Sequence, residues 1–165
     1  MAVRLRRLQL GDINALTALA NNINIWNSLR DIFPHPYSTM DAVEFLGRVN
    51  EEDPHCTFGI EYKRDLCGVI RIMPRSDVYR KNAELGYWIG EEFWNMGVAT
   101  KAIGLITDYA FTVCDLNRIE AFVFSFNEAS AKALENNGYE REGHFKQSVI
   151  KNEEVFDEYL YAKLR

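Results

Sequence analysis

The sequence predicts a mixed α/β domain in which one central, mostly antiparallel sheet carries helices on both faces. Three observations carry that expectation. Apolar residues at Val98, Ala102, Leu105, Ile106, Tyr109 and Val113 keep the spacing of a helix with one buried stripe. From Thr57 the period drops to two, with Phe58, Ile60 and Tyr62 alternating with smaller or charged residues. The order of segments (strand, one or two helices, several strands, helix, strand, helix, strands) suits packing around a single sheet. At 165 residues the chain has the size of one domain, so residues 1–165 are expected to form a single unit.

Taken in order, Val3-Arg4-Leu5-Arg6 alternates like an edge strand. Asp12 is placed to cap a helix whose apolar positions are Ile13, Leu16 and Ala20. A short second helix is expected over residues 23–29, and the prolines at 34 and 36 make the aromatic stretch that follows a shaped loop. Ser38 with Asp41 forms a capping-box pattern ahead of a helix through Ala42, Phe45 and Leu46. Lys63-Arg64-Asp65 joins the first alternating run to a second, residues 66–73, as an antiparallel hairpin. Residues 83–90 have strand composition with an internal Gly86, a usual mark of a bulge or a close backbone approach. The long helix should end near Cys114-Asp115. Residues 119–124 then read as a buried strand, residues 127–137 as a helix stopped by Gly138, and the tail as two strands around Lys151-Asn152-Glu153-Glu154.

Composition narrows the function classes. Lys plus Arg number 19 against 24 Asp plus Glu, a formal charge of −5, which disfavours broad nucleic-acid binding through phosphate neutralisation but leaves room for a local basic pocket. Three cysteines, Cys56, Cys67 and Cys114, lie far apart and form no Cys-x-x-Cys, so neither a disulfide framework nor a zinc site is indicated and a reducing cytoplasm is expected. No apolar stretch of signal or membrane-spanning length follows Arg4, Arg6 and Arg7, so no membrane partner is expected.

Chemistry concentrates in two places. Around Asn95-Met96-Gly97-Val98-Ala99-Thr100 a loop opens a helix with small residues, which exposes main-chain amides at a positive dipole end and suits a diphosphate-bearing ligand. The plainer reading is that Gly97 permits a tight turn and Ala99 packs closely. The second place is residues 127–130, where Asn127 caps a helix or orients a ligand through its amide, and Ser130 lies on the same helix face.

The pattern Trp94-x-x-Gly97-x-Ala99-Thr100-x-Ala102 resembles the cofactor loop of the GNAT superfamily of N-acetyltransferases, in particular its ribosomal-protein-alanine (RimJ/RimL-like) branch. Glu84-Leu85-Gly86-Tyr87-Trp88-Ile89 is similar to that branch's splayed central strand. Asn127-x-x-Ser130-x-x-x-Leu134-Glu135-x-x-Gly138-Tyr139-x-x-Glu142-Gly143 is similar to its strand-helix-strand block, and Phe33-Pro34-x-Pro36-Tyr37-x-x-x-Asp41-Ala42 to its substrate-side loop and helix. The chain departs at Asn95, where the branch usually has glycine. Asparagine tolerates left-handed backbone better than most residues.

The resemblance implies acetyl-CoA as co-substrate, no metal, and a primary amine as acceptor. A protein N-terminal amine comes first, with a small amine (polyamine, amino acid or antibiotic) or a catalytically idle acyl-CoA-binding module as alternatives. It places the pantetheine arm along Tyr87, Trp88 and Ile89, with one of their N–H groups facing the thioester carbonyl. Many members carry a tyrosine acid where Leu134 stands here. That raises Ser130 as donor to the thiolate, against the plain reading of a solvated serine in the first helical turn. Glu84 is the first candidate for general base, against a strand-edge charge paired with an arginine. Asp157 reads equally as an amine contact or a structural ion pair, and His35 and His144 rank lower. Asp31, Phe33, Pro34 and Tyr37 either read the substrate or close the core above the sheet. The apolar terminal strands leave a homodimer and a monomer equally open.

Overall fold

The computed structural model describes residues 2–165. Its strands are β1 (Val3–Arg6), β2 (Thr57–Tyr62), β3 (Asp65–Pro74), β4 (Asn82–Ile89), β5 (Arg118–Phe124), β6 (Glu140–Lys151) and β7 (Glu154–Leu164). The helices are α1 (Ile13–Ala20), α2 (Ile23–Trp26), α3 (Thr39–Asn50), α4 (Val98–Thr112) and α5 (Glu128–Glu135). The strands form one sheet in the order β1-β2-β3-β4-β5-β7-β6. Every neighbouring pair is antiparallel except β4 and β5.

That parallel pair is the feature that positions the site. It is hydrogen-bonded only at Asn82↔Arg118, Ala83↔Ile119 and Glu84↔Glu120. Beyond Glu84, β4 stays with β3 as far as Ile89, while β5 follows β7 as far as Phe124. The sheet is therefore split into a wedge whose inner edges carry main-chain groups without a strand partner on that side.

Side-chain alternation assigns the two faces. Ala83, Leu85 and Ile89 join the cluster under α4 and α5, with Tyr87 packed against it, whereas Trp88 joins the cluster under α1 and α3. Val98, Ile103 and Ile106 of α4 are fully enclosed, each contributing roughly 1.5–3 kcal/mol of transfer free energy. The α3 start is the capping box expected from Ser38 and Asp41. The β2–β3 hairpin turns through Lys63 and Arg64, both with positive φ, and Asp65 already belongs to β3. Cys56, Cys67 and Cys114 are all free thiols.

Several local expectations need correction. Gly86 marks no bulge, because β3 and β4 keep unbroken register from Gly68↔Ile89 to Pro74↔Ala83. The close approach is instead at Gly68, where a β-carbon would lie 2.3 Å from the Trp88 carbonyl oxygen. Asp12 does not cap α1 with its side chain. A 3-10 turn at Leu10–Asp12 precedes that helix, and the Asp12 carboxylate accepts from the Gln9 N–H and from Arg6. Helix α2 stops at Trp26, short of residue 29. Val113 lies past the end of α4 and is exposed, its place on the stripe taken by Ile103 and Ala110.

Candidate active site

The wedge opens toward the start of α4. The last carbonyl of β4, at Ile89, accepts a 2.7 Å hydrogen bond from the Trp94 indole, so the departing loop leaves at a fixed angle. Asn95 (φ 61°) and Gly97 (φ 75°) then take left-handed backbone and turn the chain into α4. The asparagine thus adopts the conformation that the usual glycine would supply. Gly97 is the N-cap, and no side chain caps α4. The first-turn amides of Val98, Ala99 and Thr100 therefore have no intrahelical acceptor and face outward at the positive end of the helix. Val98 is buried in the core and offers only its main chain, whereas Asn95, Met96 and Gly97 are exposed. These outward amides on a surface left bare at Gly97 fit a pyrophosphate.

A residue absent from the sequence-based expectation steadies this start. Asn137 donates through Nδ2 to the carbonyls of Thr100 (2.9 Å) and Ala133 (2.8 Å), lashing the end of α5 to the first turn of α4. In the sequence it reads only as a polar helix end ahead of Gly138, which has φ 80°.

Across the wedge, Asn127 accepts through Oδ1 from the Ser130 N–H at 3.2 Å, so it caps α5 as its residue type suggests. Its Nδ2 remains available to a ligand. The Ser130 hydroxyl does not point to solvent alone. It lies 2.5 Å from the Tyr87 hydroxyl, which reaches over from β4. Burial pushes the Tyr87 phenol above its ordinary pKa, partly offset by the hydrogen bond to Ser130, so at neutral pH it holds its proton. Leu134, where a tyrosine acid would stand in many relatives, is fully buried.

The other face of the wedge carries the carboxylates. Glu84 takes a 2.7 Å hydrogen bond from Arg30, which follows α2. Direct register places Glu158 of β7 opposite Phe124 of β5 and Phe145 of β6, on the same face as Glu84. Two groups of phenylalanine rings line this face as a strip, Phe122 with Phe145 at 6.4 Å and Phe126 with Phe124 at 5.5 Å and Phe156 at 4.7 Å, and the register of Glu158 with Phe124 and Phe145 sets it between them. Neither Glu158 nor this strip figured in the sequence-based site. Only strand register could have shown it.

The nominated loop closes this face. Phe33 stacks on Tyr37 at 5.3 Å and meets Trp88 edge-on at 6.1 Å. Tyr37 is buried in the α1–α3 cluster, its phenol pushed up to about 12, mainly by desolvation. Phe33 and Pro34 are partly exposed. Asp31 is bound by Lys151 at 2.8 Å, and that ammonium also sits 3.2 Å above the Trp26 ring. The tip of the β6–β7 hairpin is thereby fastened to the loop. Asp157 holds His144 (2.7 Å) and the Gln147 N–H (2.8 Å) at an irregularity in β6, a structural use of its carboxylate. His35 is exposed beside Trp26. Among the described residues, no group of three or more His, Cys, Asp or Glu is arranged to hold a metal ion.

A mostly antiparallel sheet opened at one parallel pair, with a bare helix start on one side, defines an acyl-CoA-dependent acyltransferase fold. Comparison with known proteins makes that specific. Residues 2–140 match the family model described as an acetyltransferase (GNAT) domain. An uncharacterized N-acetyltransferase, YoaA of Bacillus subtilis, is 31% identical over 125 residues, covering 74% of this chain and 70% of that protein. The putative ribosomal N-acetyltransferase YdaF of the same organism is 35% identical over 107 residues, 65% of this chain and 58% of that one. The crystal structure of spermidine N-acetyltransferase from Vibrio cholerae in complex with CoA and spermine superposes with a TM-score of 0.82 at 25% identity, over 98% of this chain and 95% of that one. The chain belongs to the GNAT family of acetyl-CoA-dependent N-acetyltransferases. No helix among the described residues is long and apolar enough to cross a membrane.

Proposed function

We infer that this acetyltransferase modifies a protein N-terminal amine. The observation that carries the reading is the phenylalanine strip, which runs from the carboxylate side of the wedge out along β5, β7 and β6. A peptide whose amine sits near Glu84 has apolar surface on which its next side chains rest. The likeness to a putative ribosomal N-acetyltransferase agrees.

In this reading the diphosphate of acetyl-CoA lies on the amides of Val98, Ala99 and Thr100, beside Asn95, Met96 and Gly97. Its pantetheine lies in the wedge along Tyr87, Trp88 and Ile89, oriented by the free amide nitrogen of Asn127. An unpaired main-chain N–H of β4 stabilises the oxyanion formed when the neutral amine attacks the thioester carbon. As the carbon–sulfur bond breaks, the Ser130 hydroxyl gives its proton to the thiolate and recovers one from the Tyr87 phenol. Glu84, held by Arg30, orients the incoming ammonium, and Phe33, Pro34 and Tyr37 with the Asp31–Lys151 anchor shape the acceptor wall.

A second reading has its own observation. Two carboxylates on one face, Glu84 and Glu158, also suit a small amine with two positive charges, and a spermidine N(1)-acetyltransferase of Vibrio cholerae is 29% identical over 90% of this chain. Release of CoA thiol from acetyl-CoA separates the possibilities. The expected result is turnover with a free-N-terminus peptide and none with the same peptide blocked at its amine. Faster turnover with spermidine would replace the peptide reading. Silence with every amine, while acetyl-CoA still raises Tm, would leave an idle acyl-CoA-binding module.

A further inference from the structure

We propose that Glu158, on β7, is the group that takes the proton from the acceptor ammonium, while Glu84 serves to orient it. The proposal rests on the acetyl-transfer reading and adds to it the identity of the base.

Register and side-chain partners carry the argument. Glu84 stands at the vertex of the wedge, where β4 and β5 still pair, and its carboxylate is engaged by the Arg30 guanidinium at 2.7 Å. A guanidinium has no acceptor atom and keeps its charge, so an ammonium arriving at Glu84 must share the carboxylate with a permanent cation. Glu158 stands on the same face near the open end. Its strand partners are Phe124, the last residue of β5, and Phe145, so apolar rings flank it on both neighbouring strands. It is partly buried and takes no hydrogen bond from any described residue.

The charges that act on it come from two other elements: Arg30 after α2 and Glu84 of β4. From its own strand, Asp157 points to the opposite face and is occupied by His144 and Gln147. Desolvation raises the Glu158 pKa above the usual carboxylate value, Arg30 opposes that rise and Glu84 adds to it. A carboxylate made more basic in this way is a better proton acceptor than one in water.

The proton balance is simple. Glu158 carboxylate plus the acceptor ammonium gives Glu158 carboxylic acid plus neutral amine, whose nitrogen lone pair attacks the thioester carbon. The nitrogen sheds its second proton to solvent as the tetrahedral adduct collapses. The thiolate leaves with the carbon–sulfur electron pair and is protonated from the Ser130–Tyr87 pair, which takes a proton back from water, and Glu158 returns its own proton to water. Overall one ammonium and one thioester yield one amide, one thiol and one proton.

The test is the pH dependence of kcat/KM for the amine acceptor in wild type, E158Q, E158D and E84Q. Wild type should show an acidic limb set by a carboxylate. E158Q should lose that limb and climb only with the acceptor's own ammonium titration, with a rate about 100-fold lower below that point. E158D, which keeps a carboxylate, should restore the limb at reduced rate. E84Q should raise the acceptor KM and keep the limb. Acetyl-CoA should raise Tm equally in all four, which reports a folded cofactor site. Retention of the wild-type limb in E158Q, or its loss in E84Q alone, overturns the assignment to Glu158. Absence of turnover in wild type with every amine overturns the acetyl-transfer reading beneath it.

Discussion

The hydroxyls of Tyr87 and Ser130, 43 positions apart in sequence, lie 2.5 Å from one another across the gap between β4 and α5. A lone serine is a poor acid, but a serine backed by a desolvated, protonated phenol has a proton behind the one it gives. Removing the serine should therefore hurt more than removing the phenol. S130A is expected to lower kcat about 100-fold, and Y87F, which loses one hydrogen bond, about 10-fold. KM for acetyl-CoA should stay within about two-fold in both, since neither group is asked to hold the ground state. Steady-state thiol release gives both numbers, and wild-type kcat in the two variants would remove the pair from the mechanism.

What the sequence made legible follows from what a local pattern encodes. Periodicity tells which face of an element a residue occupies, so the α4 stripe, the α3 capping box and the bare start at Gly97 could be read directly. It does not tell what stands opposite. Arg30 on Glu84, Tyr87 on Ser130, Glu158 beside the phenylalanine strip and Lys151 over Trp26 all depend on strand register and on where β4 leaves β5. Gly86 misled because a strand glycine signals irregularity only on average. Here it faces Arg71 in unbroken register, and the break lies on the other edge of the same strand.

The loop into α4 gives a second expectation. Gly97 at φ 75° would cost an alanine about 1–2 kcal/mol of backbone strain, which the loop can relieve only by shifting the amides that open α4. G97A should bind acetyl-CoA about 10-fold more weakly, the strain being converted into displaced amides. N95G should bind like wild type, since Asn95 already holds φ 61°. Titration calorimetry distinguishes them. A large gain in N95G would show that the asparagine side chain hinders the phosphate.

Acid should weaken the N-terminal corner in a defined direction. The Arg6 guanidinium donates twice to Asp12, at 2.8 Å each, and holds that carboxyl below its ordinary 3.8. A carboxyl depressed in the folded state contributes stability above its unfolded pKa, and that contribution fades as pH falls through the folded value. D12N should thus be less stable than wild type at neutral pH by about 1 kcal/mol, discounted for partial exposure, or about 2–4 °C in Tm. As pH falls below the ordinary carboxyl value of 3.8, the gap should narrow as wild type loses the same interaction. A gap that stays constant with pH would mean that the asparagine disturbs packing rather than charge.

The hairpin anchor makes an asymmetric prediction. Lys151 is only 3% exposed, with its ammonium between Trp26 and Asp31, whereas the Asp31 side chain is 67% exposed. If the lysine is removed, Asp31 is left in water and loses little. If the aspartate is removed, the ammonium stays enclosed with a ring face as its remaining partner. D31N should therefore destabilise by roughly 2–3 kcal/mol, whereas K151M, which fills the same space with an apolar chain, should cost about 1 kcal/mol or less. In Tm these correspond to drops of roughly 4–12 °C and about 4 °C or less. Function should follow a different order. Both changes unfasten the hairpin from the acceptor loop, so both should raise the KM of the amine while leaving acetyl-CoA binding at α4 untouched. Equal thermal losses in the two variants would mean that the lysine is stabilised by its stem alone, and an unchanged amine KM would place the anchor outside acceptor recognition.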